Sequence, residues 1–447
     1  MLLRDTKPGH TDTIGMDLLE GAASATRKGF AFDVAIIGLG YVGLPTSLAF
    51  HAAGCRVLGI DISENRLDIV RRQRADLVDA DRRRLADALE DPGYATTGEI
   101  ARLSDAAAVI VCVPTPVDEH LTPELGILRR ACKSVVEHAV PGQVLILTST
   151  TYVGSTRDLL ATELSAKGLR VGTDVFVAFS PERIDPGNER FPHEEVPRVV
   201  GGTTASCTEA ATAVLHRCTK NVHGVESTDA AEMTKLVENT FRAVNIALAN
   251  EFAEICRSLR LDVMDVIKAA ATKPYGFMPF FPGPGVGGHC IPCDPHYLLW
   301  QLRKKRLSTP LIEQAMTGIA ARPHQVAERA RQTLSEQGCG IVGARVLVVG
   351  VAYKPNVEDL RESPALEIIA ALLEMGAAVA YHDPNFPILT LSDGTVLTDV
   401  ADPGRFEADL VIVHTAHDVV DLDWLATAPA VLDTTYRLDR LPRRVAL

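Results

Sequence analysis

The chain has 447 residues, a length that allows about three domains of ordinary size. Its composition, 47% apolar and 23% charged, is normal for a folded protein. A formal net charge of −12 argues against a nucleic-acid partner, which normally requires a basic surface, and no run is apolar enough to predict a membrane partner.

Nine cysteines are scattered along the chain without the spacing of a small disulfide scaffold. Their odd number and the lack of a secretory leader indicate a reducing compartment, so we expect a cytoplasmic protein. Most of these cysteines lie in apolar or helical surroundings, where reduced cysteine behaves as a small buried hydrophobe.

The first predicted domain follows a polar segment, residues 1–31, which we interpret as a mobile tail that can end in a short helix. Residues 32–228 alternate buried strands with helices, which predicts a doubly wound, mostly parallel sheet. The strands are expected at 34–37, 56–60, 107–113, 144–148 and 175–179, with a helix at 44–53.

Residues 229–337 form a helical region in which 230–260 lacks Gly and Pro and predicts one helix of about 30 residues. A loop rich in Pro and Gly occupies 274–295. Residues 338–447 form a second α/β domain, with strands at 345–350, 378–381, 410–414 and 430–432 and a helix at 363–375. The predicted fold is therefore α/β, with two Rossmann-like domains joined by a long central helix that packs domains or subunits together.

Three glycines in the first domain, Gly38, Gly40 and Gly43, follow a strand and open a helix. This order predicts a dinucleotide-binding turn that includes Tyr41 and Val42. Asp61 ends the next strand, where a carboxylate accepts hydrogen bonds from the ribose hydroxyls. It favours NAD over NADP, although the nearby cation Arg66 argues the other way.

Two further groups of residues have competing interpretations. Thr115 follows a strand at the same edge of the sheet, where it either contacts the cofactor or belongs to a plain loop between two prolines. Lys235 and Asn239 are four residues apart on one helix face. Neighbouring glutamates make a solvated helix surface the favoured interpretation from these residues alone.

The loop Gly285–Asp294 places a cysteine and a carboxylate close together after several glycines. Cys290 is a candidate nucleophile, activated by desolvation and by neighbouring cations. Cys290 and Cys293 are alternatively a redox pair, but the βα setting of such a motif is missing. A zinc site built from these cysteines with His289 and His296 is the third possibility, and a weak one without a second cysteine pair. We therefore expect no bound metal.

Several segments together resemble the UDP-glucose/GDP-mannose dehydrogenase family from about Phe32 to the C-terminus. They are Gly38–Gly43, Val113–Pro116, Ser149–Thr150, Ser180–Glu182, Glu232–Lys235 with Asn239, Gly285–Asp294, Gly350–Lys354 and Arg361–Pro364. The resemblance implies two Rossmann-like domains, a central helix that carries a dimer interface, and hence a homodimer.

In this family the cysteine that matches Cys290 forms a thiohemiacetal and then a thioester with the sugar. The resemblance implies that Lys235 stabilises the oxyanion and that Asn239 assists it. It changes our interpretation of Lys235 from surface to catalytic.

The resemblance also implies that Asp294 and Thr150 hold the water that takes the first proton, and that Glu182 assists thioester hydrolysis. Arg361 is expected near the cofactor and Lys354 at the nucleotide of the substrate. The other residues expected to contact substrate are Phe277, Gly287 and Lys273.

The chain departs from the family pattern at several positions. Position 186 is proline where the glucose branch has a second glutamate, and residues 181–188 are instead similar to the branch that acts on UDP-N-acetylglucosamine. The arginine that many members of the family lend across the dimer to the substrate is missing before the cysteine loop, where Lys273 is the nearest cation. Cys293 replaces a usually aliphatic residue. The Asp433–Thr435 segment also lacks an arginine that many relatives have.

The resemblance thus implies oxidation of a nucleotide-diphosphate hexose at its 6-hydroxyl to the uronic acid, with two NAD per turnover. UDP- or dTDP-glucose and UDP-N-acetylhexosamine all remain possible substrates. Two alternatives stay open: a two-electron dehydrogenase of the hydroxyacid type, and a non-catalytic, NAD-binding or zinc-stabilised assembly protein.

Overall fold

The structure, a computed structural model, describes residues 29–183, 195–438 and 441–447. These fall into two compact units, the first comprising residues up to Thr115 and Leu125–Met233, the second Pro116–Glu124 and Thr234–Leu447. The tail predicted for 1–31, apart from residues 29–31, and Pro186 with its neighbours lie outside the described residues. The boundaries of the three predicted domains stay a prediction.

The first unit is built on a sheet whose strands are short and, apart from the two edge strands, almost completely buried. Its strands are β1 (Phe32–Ile37), β2 (Val57–Ile60), β3 (Tyr94–Thr97), β4 (Ala106–Val111), β5 (Val144–Leu147), β6 (Phe176–Phe179), β7 (Arg198–Gly202) and β8 (Val222–Val225). Their order is β3-β2-β1-β4-β5-β6-β7-β8. The pairs are parallel except β6 with β7. Burial on both faces explains the continuous apolar runs of β2 and β5.

Helices connect these strands and cover the sheet. They are α1 (Gly43–Ala52), α2 (Glu64–Arg71), α3 (Asp79–Glu90), α4 (Gly126–His138), α5 (Thr162–Ala166) and α6 (Ala205–Leu215), with a 3₁₀ turn at Ile100–Asp105 and a π-helical stretch at Arg157–Ala161. Ser63 caps α2 by accepting a hydrogen bond from the Arg66 N–H. The core beneath them includes Ile36, Leu44 and Ile146.

The long helix predicted at 230–260 is confirmed as α7 (Thr228–Leu259), which begins in the first unit and continues in the second. The remaining helices are α8 (Val263–Ala271), α9 (Asp294–Lys304), α10 (Pro310–Glu336) and α11 (Pro364–Glu374). None of the helices in the described part of the chain combines the length and apolar character needed to span a membrane.

The second unit contains a smaller parallel sheet and a hairpin. The strands are β9 (Arg345–Val349), β10 (Ala378–His382), β11 (Ile388–Thr390), β12 (Val396–Thr398), β13 (Leu410–Val413), β14 (Val431–Asp433) and β15 (Arg444–Ala446), with 3₁₀ turns at Pro403–Arg405 and Asp423–Thr427. The sheet order is β10-β9-β13-β14-β15, and β11 pairs with β12 antiparallel. Both α/β units that the sequence predicts are confirmed.

Candidate active site

The glycine turn lies between β1 and α1. Gly38 has a φ of +91°, and a Cβ there would come within 2.5 Å of the Cys112 carbonyl oxygen. A Cβ on Gly43 would lie 1.8 Å from the Gly38 oxygen, whereas one on Gly40 would meet nothing within 4 Å. The outer glycines are therefore required for packing, and the middle one leaves open space at the start of the helix. This arrangement fits a pyrophosphate bound at a helix N-terminus.

Asp61 and Arg66 both hold the backbone of this turn at Leu39. The Asp61 carboxylate accepts hydrogen bonds from the Leu39 N–H at 2.9 Å and from the Ser63 N–H at 2.9 Å. The Arg66 Nε donates to the Leu39 carbonyl at 2.6 Å. Asp61 stays partly exposed, so its carboxylate can also meet ribose hydroxyls.

Three further predicted residues of the first unit follow the strands of its sheet. Thr115 and Thr150 are half-buried in loops after β4 and β5. The Ser149 hydroxyl ties these loops together, because it accepts from the Val113 N–H at 2.9 Å. Glu182 is buried, and its carboxylate forms an ion pair with the buried Arg198 at 2.7 Å.

Lys235 and Asn239 are buried, so the solvated-surface interpretation is wrong. The Asn239 amide donates a short hydrogen bond to the carboxylate of Asp294, the first residue of α9. Cys290 lies one turn before it, since its carbonyl accepts from the Asp294 N–H at 2.8 Å. The structure therefore brings four predicted residues of the second unit together, although Cys290 keeps exposed surface.

The surroundings of Cys290 change its acidity in both directions. Although Cys290 keeps some exposed surface, partial desolvation by the protein around its sulfur is the largest effect and raises the pKa of the thiol, and the Asp294 carboxylate raises it further. The cations Lys235, Arg242 and Arg361 lower the pKa but do not outweigh the rise. The expectation that desolvation activates Cys290 is wrong, because removing water penalises the charged thiolate.

The carboxyl group of Asp294 has a pKa close to neutral pH. Burial raises its pKa to about 6, against the opposing effects of Lys235 and of the hydrogen bond from Asn239. A carboxylate with such a pKa is ionised at pH 7 and still able to take up a proton during a reaction.

Glycines let the cysteine loop lie against the segment after β9. A Cβ on Gly287 would come within 2.5 Å of the Tyr353 side chain and 2.6 Å of the Glu362 carbonyl oxygen. Gly288 has a φ of +79°, and its N–H donates to the Arg361 carbonyl at 2.9 Å. Close packing therefore accounts for Gly287, whose contact with substrate stays a prediction.

The other predicted binding residues also lie in the second unit. Lys354 is half-buried in the turn after β9. Arg361 forms an ion pair with Asp359 at 2.6 Å and lies near His289 and Cys290, and its contact with cofactor stays a prediction. Phe277 is exposed, and the Lys273 ammonium lies 5.2 Å from the Tyr275 ring centroid.

The sequence interpretation missed two residues of this region. Arg242 lies on α7 seven residues after Lys235, a helical spacing that could have suggested its position near Cys290. Glu232 was taken for a possible surface residue but is buried. Its carboxylate accepts hydrogen bonds from the Gly154 and Thr156 N–H groups and from the Ser155 and Thr156 hydroxyls, at 2.5–2.8 Å.

The alternative of a zinc site finds no support in this loop. Across residues 29–183, 195–438 and 441–447 there is no group of three or more His, Cys, Asp or Glu side chains that could hold a metal ion. All nine cysteines are free thiols, and seven of them are buried, as expected for small hydrophobes.

Comparison with protein families gives matches along most of the chain. Models of the UDP-glucose/GDP-mannose dehydrogenase family match as follows: the NAD binding domain at residues 32–219, the central domain at 229–318 and the UDP binding domain at 347–440.

Individual relatives cover nearly the whole chain. An NDP-N-acetyl-D-galactosaminuronic acid dehydrogenase of Ralstonia solanacearum is 33% identical over 90% of this chain and 95% of its own. A UDP-N-acetyl-D-glucosamine 6-dehydrogenase of Pseudomonas aeruginosa is 33% identical over 86% and 90%. The solved UDP-D-ManNAc dehydrogenase of Pyrococcus horikoshii superposes with a TM-score of 0.83 at 29% identity, over 93% of this chain and 98% of that one.

Proposed function

Because this chain belongs to the UDP-glucose/GDP-mannose dehydrogenase family, we propose that it oxidises the 6-hydroxyl of a nucleotide-diphosphate hexose to a carboxylate, through a covalent bond to Cys290. The chain is an NAD-dependent nucleotide-sugar dehydrogenase by family membership, and the covalent route is the further step. It is supported by one observation above all: Cys290 lies beside Lys235 and the hydrogen-bonded pair Asn239–Asp294.

The first oxidation turns the 6-hydroxyl into an aldehyde and releases a proton. Asp294, with a pKa of about 6, receives this proton through a bound water. Asn239 holds the carboxylate in place by its hydrogen bond. The glycine turn of the first unit, with Gly38, Gly40 and Gly43, would hold NAD, which would supply the oxidant for this step and for the second oxidation.

The second oxidation proceeds on the enzyme's own sulfur. The Cys290 sulfur adds to the aldehyde carbon, and the positive charge of Lys235 stabilises the oxygen of the resulting thiohemiacetal. The thiohemiacetal then loses a hydride from its carbon, which carries two electrons, and the proton of its hydroxyl group, and a thioester remains. Water then cleaves the thioester, which releases the carboxylic acid and restores the thiol, so that two NAD are reduced for each sugar.

Thr150 and Glu182 belong to the first unit, and their roles in holding water and in hydrolysis stay predictions that rest on the family resemblance. Contacts with the substrate also stay predictions for Lys354, Phe277, Gly287 and Lys273. Contacts with the cofactor stay predictions for Gly38, Gly40, Tyr41, Val42, Gly43, Asp61, Arg66, Thr115 and Arg361.

We propose a UDP-N-acetylhexosamine as the substrate. The relatives from Ralstonia and Pseudomonas bear names that include N-acetylated sugars, as does the Pyrococcus protein. Pro186 stands where the glucose branch has glutamate, which agrees with this choice.

We also propose a homodimer formed through α7. One face of this helix exposes large apolar side chains within a sector of about 60°, since successive residues turn by about 100°. They are Val237, Phe241, Leu248, Phe252, Ile255 and Leu259. A continuous apolar stripe of this kind is typical of an interface between copies of a chain.

The test is the yield of NADH from a panel of UDP-glucose, three UDP-N-acetylhexosamines and dTDP-glucose. We expect two NADH per molecule of a UDP-N-acetylhexosamine and a carboxylic acid as product in mass spectrometry. One NADH per molecule would indicate a two-electron dehydrogenase instead.

The covalent route is tested by the Cys290→Ser variant, in which acid formation should stop. Acid formation at the wild-type rate would refute the covalent route. Cys339→Ser is the matched control, because it changes the other exposed cysteine.

A further inference from the structure

The same turn, with the same pattern of hydrogen bonds, follows the first strand of the parallel sheet in each unit. Gly350 in the second unit has a φ of +78°, and its N–H donates to the His382 carbonyl at 2.8 Å, as that of Gly38 does to Ile60 at 2.8 Å. The next N–H, from Val351, donates to the Asp383 carboxylate at 2.7 Å, as that of Leu39 does to Asp61 at 2.9 Å. Asp383 thus occupies the position that a ribose-binding acid has in the first unit.

The two acids differ in their exposure. Asp61 is partly exposed, whereas Asp383 is fully buried, and the His417 Nε2 lies 3.1 Å from its carboxylate. The side chain of His417 is 1% exposed. Asp383 is therefore sealed from any ligand, and its carboxylate is used to hold the protein's own backbone.

His417 extends this contact across the turn that contains Lys354. Its Nδ1 accepts a hydrogen bond from the Asn356 N–H at 2.9 Å. Because Nδ1 accepts, Nε2 is the nitrogen that donates to Asp383, and these two partners fix the orientation of the His417 ring. Asn356 has a φ of +60°, and its side chain exchanges two hydrogen bonds with Asp418, at 2.7 and 2.9 Å.

The Lys354 turn, residues 351–356, is therefore fixed at both ends by one buried pair. Its first residues, Val351 and Ala352, donate to Asp383. Its last residue, Asn356, donates to His417. Asp383 and His417 join the two ends, so their hydrogen bond sets the distance between the ends of the turn that contains Lys354.

We propose that His417, together with Asp383, is a positioning residue that fixes the Lys354 turn for binding the nucleoside diphosphate of the substrate. This inference rests on the proposed function, in which Lys354 contacts the nucleotide, and on the match of residues 347–440 to the UDP binding domain of the family. The pair is buried within the second unit, so its loss should weaken nucleotide binding without affecting the NAD site of the first unit.

The experiment measures the dissociation constants of UDP and of NAD separately, by titration calorimetry on the full chain. His417→Ala should weaken UDP binding roughly tenfold, because the Asn356 N–H loses its buried acceptor and Asp383 loses the hydrogen bond that joins the two ends of the turn, and it should leave NAD binding within about twofold. His417→Asn keeps an acceptor in place of Nδ1 and should recover part of the affinity, to roughly threefold weaker than wild type.

Leu432→Ala is the control for general destabilisation. Leu432 is fully buried in β14, which β13 separates from the strand that leads into the turn. It should lower the melting temperature but leave UDP binding within about twofold. If Leu432→Ala weakens UDP binding as much as His417→Ala does, or if neither His417 variant weakens it, the positioning role is refuted.

Two further results have a clear meaning. If His417→Ala does not fold, His417→Asn carries the test alone, and UDP affinity equal to wild type would refute the inference. If the wild-type protein binds neither UDP nor dTDP, the proposed function itself fails, an outcome distinct from unchanged affinity in the variants.

Discussion

The Asn239 amide donates a hydrogen bond to the buried carboxylate of Asp294, across 55 residues of sequence. This contact joins the long helix α7 to the first residue of α9 and places a carboxylate with a pKa of about 6 near the Cys290 thiol. A buried carboxylate whose pKa is raised lowers the stability of the fold when it ionises, so the group that serves the reaction also weakens the protein.

Asp294→Asn should therefore stabilise the protein and inactivate it. The pKa in the folded state, about 6, exceeds the ordinary value of 3.8, so the favourable contribution of this group is complete at low pH and is lost as the pH rises through 6. A shift of this size corresponds to about 3 kcal/mol, and we expect the variant to gain up to that free energy of unfolding at pH 8 and almost none at pH 4. Turnover should fall roughly a hundredfold or more.

Urea unfolding at the two pH values measures the gain, with the exposed Asp87→Asn as control, which should change stability by about 0.5 kcal/mol or less. An Asp294→Asn protein that is less stable than wild type at pH 8 would contradict the assignment of a destabilising ionised carboxylate.

The reactivity of Cys290 provides a second prediction. Because partial desolvation by the surrounding protein and the Asp294 carboxylate raise the pKa of the Cys290 thiol, alkylation by iodoacetamide should be slow at pH 7 and rise steadily into the alkaline range. Lys235→Met and Arg242→Gln each remove a cation that favours the thiolate and should slow alkylation at pH 8 roughly threefold, while Asp294→Asn should speed it.

These rates are best measured in a Cys339→Ser background, which removes the other exposed thiol. Arg242→Lys keeps the positive charge and should react nearly as fast as the parent. A rate that is constant between pH 7 and 10 would mean that the thiolate is already formed and that the cations dominate.

The sequence predicted the parts of the site that depend on neighbouring residues. The turn from Gly38 to Gly43 and the acid Asp61 form a local strand–turn–helix pattern, so their order could be recognised directly. The spacing of Lys235 and Asn239 placed them on one helix face. It did not reveal that this face is buried, because Asp294, which contacts Asn239, lies on another helix.

Strands β7 and β8 escaped prediction for a physical reason. Glycines at 201, 202 and 224 interrupt their apolar runs, and β8 is largely exposed, so neither shows the signature of a buried strand. The Asp383–His417 pair escaped because its members are 34 residues apart and only the sheet of the second unit brings them together.

Glu232 leads to a third prediction, on stability. Its buried carboxylate satisfies four donors from Gly154, Ser155 and Thr156 at the start of a helical segment. Glu232→Ala leaves these donors without their partner and opens a cavity, so we expect a loss of about 3 kcal/mol or more in the free energy of unfolding.

The control is Glu251→Ala, an exposed glutamate on the same helix, which should cost about 0.5 kcal/mol or less. Glu232→Gln tests whether both carboxylate oxygens are needed as acceptors, because the glutamine amide replaces one of them with an NH₂ group that faces a donor. We expect its loss of unfolding free energy to lie between those of Glu232→Ala and Glu251→Ala. Equal stability of Glu232→Ala and Glu251→Ala in denaturant titrations would show that the buried network contributes nothing.

The apolar stripe on α7 leads to the fourth prediction, which concerns assembly. Phe252 lies in the middle of the stripe and is 46% exposed in the single chain. If a second copy covers it, Phe252→Glu places a charge in an apolar interface, and the cost of burying that charge should convert the dimer to a monomer. Light scattering coupled to size-exclusion chromatography measures the molar mass of the wild-type protein and of each variant.

Val342→Glu changes an apolar residue that is 80% exposed and lies outside the stripe, so it should leave the dimer intact. A wild-type protein that is monomeric at micromolar concentration, or a Phe252→Glu variant that remains dimeric, would rule out this face of α7 as the interface.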